Sequence, residues 1–288
     1  MTRTFQRPIK RIVVKLGSSQ IADSKMRPKT AQILALAKQI KELRKRKIDV
    51  VLVSSGAIAL GMGLLKESKR PTSLTALQVR AAIGQAALMN LWGELFKKVD
   101  LKCAQILLTW DDFNNSVRCL NAKQTLNAIL DQGVIPVINE NDTISTEEIK
   151  FGDNDKLSAL VSRLIHPDLL VILSDVPGIW DQDKKVLVGE FKEVTPLMHS
   201  VSIGTANIQV ASGGMKTKID AVEIATVKIA TNAGTPCVIT DGSIKNVLVR
   251  LVDKERIGTC FIEKENHILN VDSEHEFIRS HFKNSKGG

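Results

Sequence analysis

Short, almost uninterrupted aliphatic runs alternate along this 288-residue chain with longer segments whose apolar residues recur every three or four positions. The run at 48–53 is β-branched and nearly continuous, the pattern of a strand covered on both faces rather than one. Before it, Ile33, Leu36, Ala37, Ile40 and Leu43 share a helical face, and Pro28 suits the first turn of that helix. The unit then recurs. A helix bearing Leu88, Leu91, Trp92, Leu95, Phe96 and Val99 precedes a run at 104–108, a helix at about 117–130 precedes 134–138, and Leu157, Leu160, Val161, Leu164 and Ile165 mark a helix before 169–173. Ile219, Val222, Thr226 and Ile229 lead into a final run at 236–239. Parallel strands need crossovers and helices supply them, so the alternation predicts an α/β fold, a three-layer α/β/α sandwich around a mainly parallel sheet. In such sheets ligands collect beyond the carboxyl ends of the strands.

Composition bounds the alternatives. With 43% hydrophobic residues the chain can bury a substantial core, and its length suits one large domain or two closely joined lobes. A break is expected near Pro167, and a polar tail at 267–288, plainest from Glu276 onward. Cys103, Cys119, Cys237 and Cys260 stand singly, so their spacing signals neither a zinc site nor a disulfide framework, and a reducing cytoplasm is the expected location. Lys15 interrupts the first apolar run, so no signal-peptide core follows the basic start. The longest uncharged stretch, 50–65, is shorter than the roughly 20 residues that cross a bilayer and reads as a buried strand entering a glycine-rich turn.

The net charge of +9 is the one hint of a polyanionic partner. Its densest run, Arg44-Lys45-Arg46-Lys47, closes the first predicted helix, where cations meet the partial negative charge of a helix C-terminus. Tyrosine is absent and aromatic residues make up 4%, which disfavours base stacking, so nucleic acid is not an expected partner.

Three apolar runs end in small-residue turns. Lys15 stands before Gly17-Ser18-Ser19, a position from which an ammonium can meet a phosphoryl group, although a strand-end lysine alone is more often merely solvated. Ser54-Ser55-Gly56-Ala57 offers hydroxyls and backbone donors to an anion, or is simply a turn. Gly213-Gly214-Met215-Lys216-Thr217-Lys218, after Ser212, suits the cradling of nucleotide phosphates but lacks the spacing of a Walker A loop. Asp153-Asn154-Asp155 exceeds what one helix cap requires. With Asn139 and Asp142 upstream, these side chains are candidates to bind an ammonium, order lysines or hold a metal-bound nucleotide. Ser174-Asp175 either contacts a nucleotide or caps the next turn, and Lys216 either assists the phosphate turn or points to solvent. The five histidines show no ligand spacing. Glycines admit phosphate oxygens close to the backbone and lysines supply positive charge, so the set reads as a small-molecule kinase.

Lys15-Leu16-Gly17-Ser18, Ser54-Ser55-Gly56-Ala57-Ile58, Val137-Ile138-Asn139-Glu140-Asn141-Asp142, the run from Phe151 through Gly152-Asp153-Asn154-Asp155-Lys156 to Ala159, and Gly213-Gly214-Met215-Lys216-Thr217-Lys218 resemble, in the same order and over roughly residues 10–263, the signature segments of the glutamate 5-kinases of the amino acid kinase family. The Asn-Glu-Asn-Asp and Gly-Asp-Asn-Asp pair carries that specificity, since the glycine segments alone fit acetylglutamate, carbamate or uridylate kinases as well. The resemblance implies the amino acid kinase fold over 1–266, with a glutamate-binding lobe at about 1–166 and a nucleotide-binding lobe at about 167–266. It implies transfer of the ATP γ-phosphate to the γ-carboxylate of L-glutamate, the first step of proline biosynthesis. Lys15 and Lys218 would neutralise the group in transfer, with Asp155 orienting them. Ser55, Asn139, Asp142, Asp153 and Asn154 would hold glutamate. Lys15, Ser174, Asp175, Ser212, Gly213, Gly214, Met215, Lys216, Thr217 and Lys218 would hold ATP. Magnesium, feedback inhibition by proline and homo-oligomers are further implications. Many bacterial relatives continue into a PUA domain, for which this chain is too short. The run Gly178-Ile179-Trp180-Asp181-Gln182-Asp183 departs from the Tyr-Thr-Ala-Asp-Pro-like run common among relatives and leaves nucleotide preference open.

Overall fold

The computed structural model describes residues 2–144, 154–181, 186–187, 189–191, 202–203, 227 and 229–262. In chain order these form β1 (Arg11–Leu16), α1 (Ser18–Ile21), α2 (Thr30–Lys45), β2 (Asp49–Ser54), α3 (Ala57–Leu64), α4 (Leu74–Lys97), β3 (Cys103–Leu108), α5 (Trp110–Asn114), α6 (Ser116–Asp131), β4 (Ile135–Glu140) and α7 (Asn154–Ile165). There follow β5 (Leu169–Ser174), β6 (Ile179–Asp181), β7 (Val186–Leu187), β8 (Glu190–Phe191), β9 (Ser202–Ile203), β10 (Cys237–Asp241), α8 (Val247–Val252) and β11 (Thr259–Phe261). Eight strands make one sheet in the order β3-β4-β2-β1-β5-β10-β11-β8, and β7-β6-β9 make a small second sheet. Pairing in the large sheet is parallel except between β10 and β11.

The two-faced aliphatic runs now have their explanation. Ile12, Val14 and Leu16 of β1, Val50 and Leu52 of β2, and Leu169, Val171 and Leu173 of β5 enter one core, with Ile33, Leu36 and Ile40 of α2, Leu88 and Trp92 of α4, and Leu248 of α8. The alternate residues Val13, Val51, Val53, Leu170 and Ile172 enter a second core, against Leu126 and Leu130 of α6 and Leu157 and Leu164 of α7. Helices thus cover both faces, and the expected three-layer sandwich is what the chain forms. Because β5 pairs directly with β1, the sheet runs without interruption past Pro167.

Two local expectations differ. Pro28 lies two residues before α2, in a bridge with Ala22, because the Lys29 amide is spent on Ile21 O and leaves Thr30 to open the helix. The glycine-rich turn after β2 is confined to Gly56, at φ +110°, where a Cβ would stand 2.7 Å from Ile21 Cγ2. Residues 57–64 are helical instead. Gly61 in α3 and Gly84 in α4 are contact points: a Cβ on Gly84 would lie 1.7 Å from Ala57 O, and one on Gly61 2.0 Å from Arg80 O. The two helices therefore touch backbone to backbone.

The two arginines of the basic run at the end of α2 are occupied with neighbours. Arg44 pairs with Asp49, and Arg46 contacts Glu42 at 3.2 Å and Asp253 at 2.7 Å. Among the described residues no helix is long and apolar enough to cross a membrane.

Candidate functional site

Parallel pairing puts the carboxyl ends of β1, β2, β4, β5 and β10 at one edge of the sheet. Lys15, in register with Val53 and Ile172 on its two neighbours, projects from the last turn of the central strand. Its Nζ lies 2.6 Å from Asp155 Oδ1, and the two residues are only 8% and 9% exposed. Asp155 occupies the first turn of α7, where the positive end of the helix dipole favours a carboxylate. A buried ion pair contributes little net stability once desolvation is counted, so its presence at a strand edge points to chemistry rather than to folding.

Beside this pair runs a chain of amides. Asn154 Nδ2 donates to Ser55 Oγ at 2.7 Å and to Asn139 Oδ1 at 2.8 Å, and Asn139 Nδ2 donates to Gln85 Oε1 at 2.8 Å. Asn139 and Asn154 are buried. The end of β2 is fixed from beneath, where Trp92 Nε1 donates to Ser54 Oγ at 3.1 Å. The close approach of α3 and α4 at Gly84 is what carries Gln85, the next residue, to this edge.

Asp142 lies two residues beyond β4, in a turn tied to β3 by the Asn141 amide on Leu108 O. Burial pushes its carboxyl from the usual 3.8 up to about 6, against the opposing pull of Arg70. A carboxylate desolvated to this degree favours the arrival of a cation.

On the other side of β1, Ser174 ends β5 and Asp175 follows it, with Ser174 Oγ donating to Asp175 Oδ1 at 3.3 Å. The Ser174 carbonyl accepts from Gln20 Nε2 at 2.7 Å and from the Gly242 amide at 3.0 Å, and Gln20 Oε1 in turn accepts from Gln32 Nε2 at 2.6 Å. A Cβ on Gly242 would lie 2.2 Å from Gln20 Oε1, so a larger residue there would displace the Gln20 amide from this arrangement.

Of the residues singled out in sequence, Lys15 and Asp155 form an ion pair and Asn154, Ser55 and Asn139 a hydrogen-bonded group beside it, while Asp142, Ser174 and Asp175 share the edge without a hydrogen bond to either among the described residues. Asp153 and the segment Ser212, Gly213, Gly214, Met215, Lys216, Thr217 and Lys218 lie outside the described residues. Sequence reasoning missed Gln85, Gln20 and Gln32. Their available signal was an uncharged amide within an apolar or small-residue stretch, which by itself specifies no partner.

A family model described as "Amino acid kinase family" matches residues 10–241. The glutamate 5-kinase of Herpetosiphon aurantiacus is 44% identical over 256 residues, covering 87% of this chain and 68% of that protein. The glutamate 5-kinase of Clostridium tetani is 39% identical over 264 residues, covering 90% of this chain and 97% of its own length. Among solved structures, the carbamate kinase from Giardia lamblia bound to AMP-PNP superposes with a TM-score of 0.60 at 16% identity, over 88% of this chain and 99% of that one, a likeness of fold. With a bonded lysine-aspartate pair at the carboxyl edge of a parallel sheet and relatives of this identity and coverage, the chain belongs to the amino acid kinase family and, within it, to the glutamate 5-kinases.

Proposed function

We propose that this protein transfers the γ-phosphate of ATP to the γ-carboxylate of L-glutamate, forming L-glutamyl 5-phosphate and so opening proline biosynthesis. The observation that carries the reading is the Lys15–Asp155 pair beside the Asn154, Asn139 and Ser55 amide and hydroxyl groups, a fixed ammonium next to a row of polar side chains suited to a small zwitterion. The names of the relatives support the same substrate.

The chemistry requires little proton transfer. A carboxylate is already ionised at neutral pH and attacks without a general base. The obstacle is charge, since two unit charges at 4 Å repel by about 4 kcal/mol at an effective dielectric near 20. Lys15, held by Asp155, offsets that repulsion on one side, and Lys218 is assigned the same task from the segment 212–218. Asp142 and Asp153 pair the α-ammonium. Ser55, Asn139 and Asn154 form the glutamate side, with the Ser55 hydroxyl as the donor to a carboxylate, and Ser174, Asp175 and 212–218 hold the nucleotide, so that the lobes at about 1–166 and 167–266 each present one substrate. Magnesium is the companion that ATP brings, and this ion takes much of its coordination from phosphate oxygens and water. When bound it would neutralise β- and γ-phosphate charge. Inhibition by proline, homo-oligomers and a cytoplasmic setting belong to the same proposal.

Incubation with magnesium-ATP, L-glutamate and hydroxylamine tests it, with glutamate-dependent hydroxamate as the expected product. A product formed instead from N-acetylglutamate overturns the substrate assignment, because an acetylated amine brings no charge for Asp142 to pair.

A further inference from the structure

The hydrogen bonds of the amide chain have a direction. Both hydrogens of Asn154 Nδ2 are spent, one on Asn139 Oδ1 and one on Ser55 Oγ. Asn139 can offer its oxygen to Asn154 only because its own Nδ2 has an acceptor on the far side, Gln85 Oε1 at 2.8 Å. Ser55, half-buried, therefore receives a hydrogen bond, and its own hydroxyl hydrogen is committed to no acceptor among the described residues. A serine in this state presents a donor.

Asn139 and Asn154 each carry one donor and one acceptor end, so which way the pair points follows from the group that faces Asn139, here Gln85 Oε1. Without an acceptor at position 85, Asn139 is free to turn over and face Asn154 with its Nδ2. Two donors cannot face each other, so Asn154 turns as well and shows Oδ1 to Ser55. The serine hydrogen is then consumed within the protein. We propose that Gln85 is a positioning residue: its Oε1 sets the polarity of the Asn139–Asn154–Ser55 chain and thereby makes the Ser55 hydroxyl a donor to a carboxylate of the substrate. Gln85 needs no contact with that substrate; its Nε2 and Asn154 Oδ1, the two ends of the chain, are buried without a hydrogen-bond partner among the described residues. The assignment rests on the carboxylate-kinase reading above, but the relay itself is a property of the unliganded protein.

Three variants at one position separate polarity from packing. Gln85→Glu keeps an acceptor oxygen where Oε1 now lies, Gln85→Met keeps the shape and removes the acceptor, and Gln85→Lys replaces it by a donor. A purely structural role ranks methionine above the buried charge of glutamate. The relay predicts the opposite order. Expected values are a glutamate KM within about threefold of wild type for Gln85→Glu, and raised on the order of 10- to 100-fold for Gln85→Met and at least as far for Gln85→Lys, with the KM for magnesium-ATP steady in all three. A Gln85→Met enzyme with unchanged glutamate KM, or one that outperforms Gln85→Glu, overturns the assignment.

A second measurement needs no substrate and survives failure of the glutamate reading. In protein labelled with 15N-asparagine, the side-chain amide hydrogens of Asn139 and Asn154 should exchange slowly with solvent in wild type and Gln85→Glu and faster in Gln85→Met. Equal protection in all three overturns the relay, whereas differential protection in a protein that makes no hydroxamate upholds the relay and removes only its substrate.

Discussion

Two carboxylates at the same sheet edge are handled in opposite ways. Asp155, at the start of α7, has its charge matched inside the protein by Lys15 at 2.6 Å. Asp142, in the turn beyond β4, is desolvated without a comparable partner, and its carboxyl rises to about 6 despite Arg70. The first is wired before any ligand arrives. The second stores an electrostatic demand that an ammonium group meets. On the proposed reading, the difference separates a fixed element, which would hold a lysine at the point of transfer, from a selective one, which would reward a charged amine.

The sharpest way to break this contrast is to remove Lys15. Lys15→Met is expected to lower turnover on the order of 10²–10³, by analogy with deleting one preorganised donor. It also leaves Asp155 buried and alone, at about 3–5 kcal/mol in denaturant unfolding. Lys15→Met combined with Asp155→Asn should recover most of that stability and none of the turnover. Recovery of both would place the pair in folding only.

Next in size, Asp142→Ala should raise the glutamate KM about 100-fold and leave the KM for magnesium-ATP nearly unchanged, as the loss of a charged hydrogen bond of roughly 1.5–3 kcal/mol implies. Equal losses for both substrates would make Asp142 structural. Gly84→Ala, measured by denaturant midpoint, should cost about 1–3 kcal/mol as an overpacking change, because its Cβ would be placed 1.7 Å from Ala57 O. A rise in glutamate KM is expected with it, since Gln85 moves with the helix.

The smallest effect is one of pH. The folded state holds the Asp142 proton more tightly than the unfolded chain, so this residue's favourable contribution is complete below the unfolded value near 3.8 and is lost as pH rises through about 6. Asp142→Asn should therefore be more stable than wild type at pH 7, an advantage that fades towards pH 4. Glutamate, which needs the ionised form, should bind more weakly below pH 6, by up to about tenfold per unit, and binding near pH 6 should release a proton detectable in buffers of different ionisation enthalpy. A flat KM between pH 5 and 7 would detach Asp142 from the amine.

Much of this was legible in the chain. Runs such as Val50-Val51-Leu52-Val53 announce burial on both faces, and Lys15, Asn139 and Asp155 carry enough charge or polarity at strand and helix ends to be noticed. Gly61 and Gly63 were not legible as helix residues, because the missing side chain that permits a turn also permits two helix backbones to touch, and only the partner, here Arg80 O for Gly61, tells them apart. Gln85 and Gln20 escaped for a related reason. An amide has no charge to betray it and acts through what it bonds to, and the partners of these two lie 54 and 154 residues away.

The place of β1 in the sheet has a consequence during synthesis. Its two neighbours are β2, which emerges soon after it, and β5, which begins only at Leu169. A nascent chain that ends before that point leaves one flank of a deeply buried strand with open amides and carbonyls, an adhesive edge of the kind that recruits foreign strands. The strand that carries Lys15 thus stays open on one side until β5 is made, and a product terminated before that point is expected to aggregate rather than persist as a half-sized subunit.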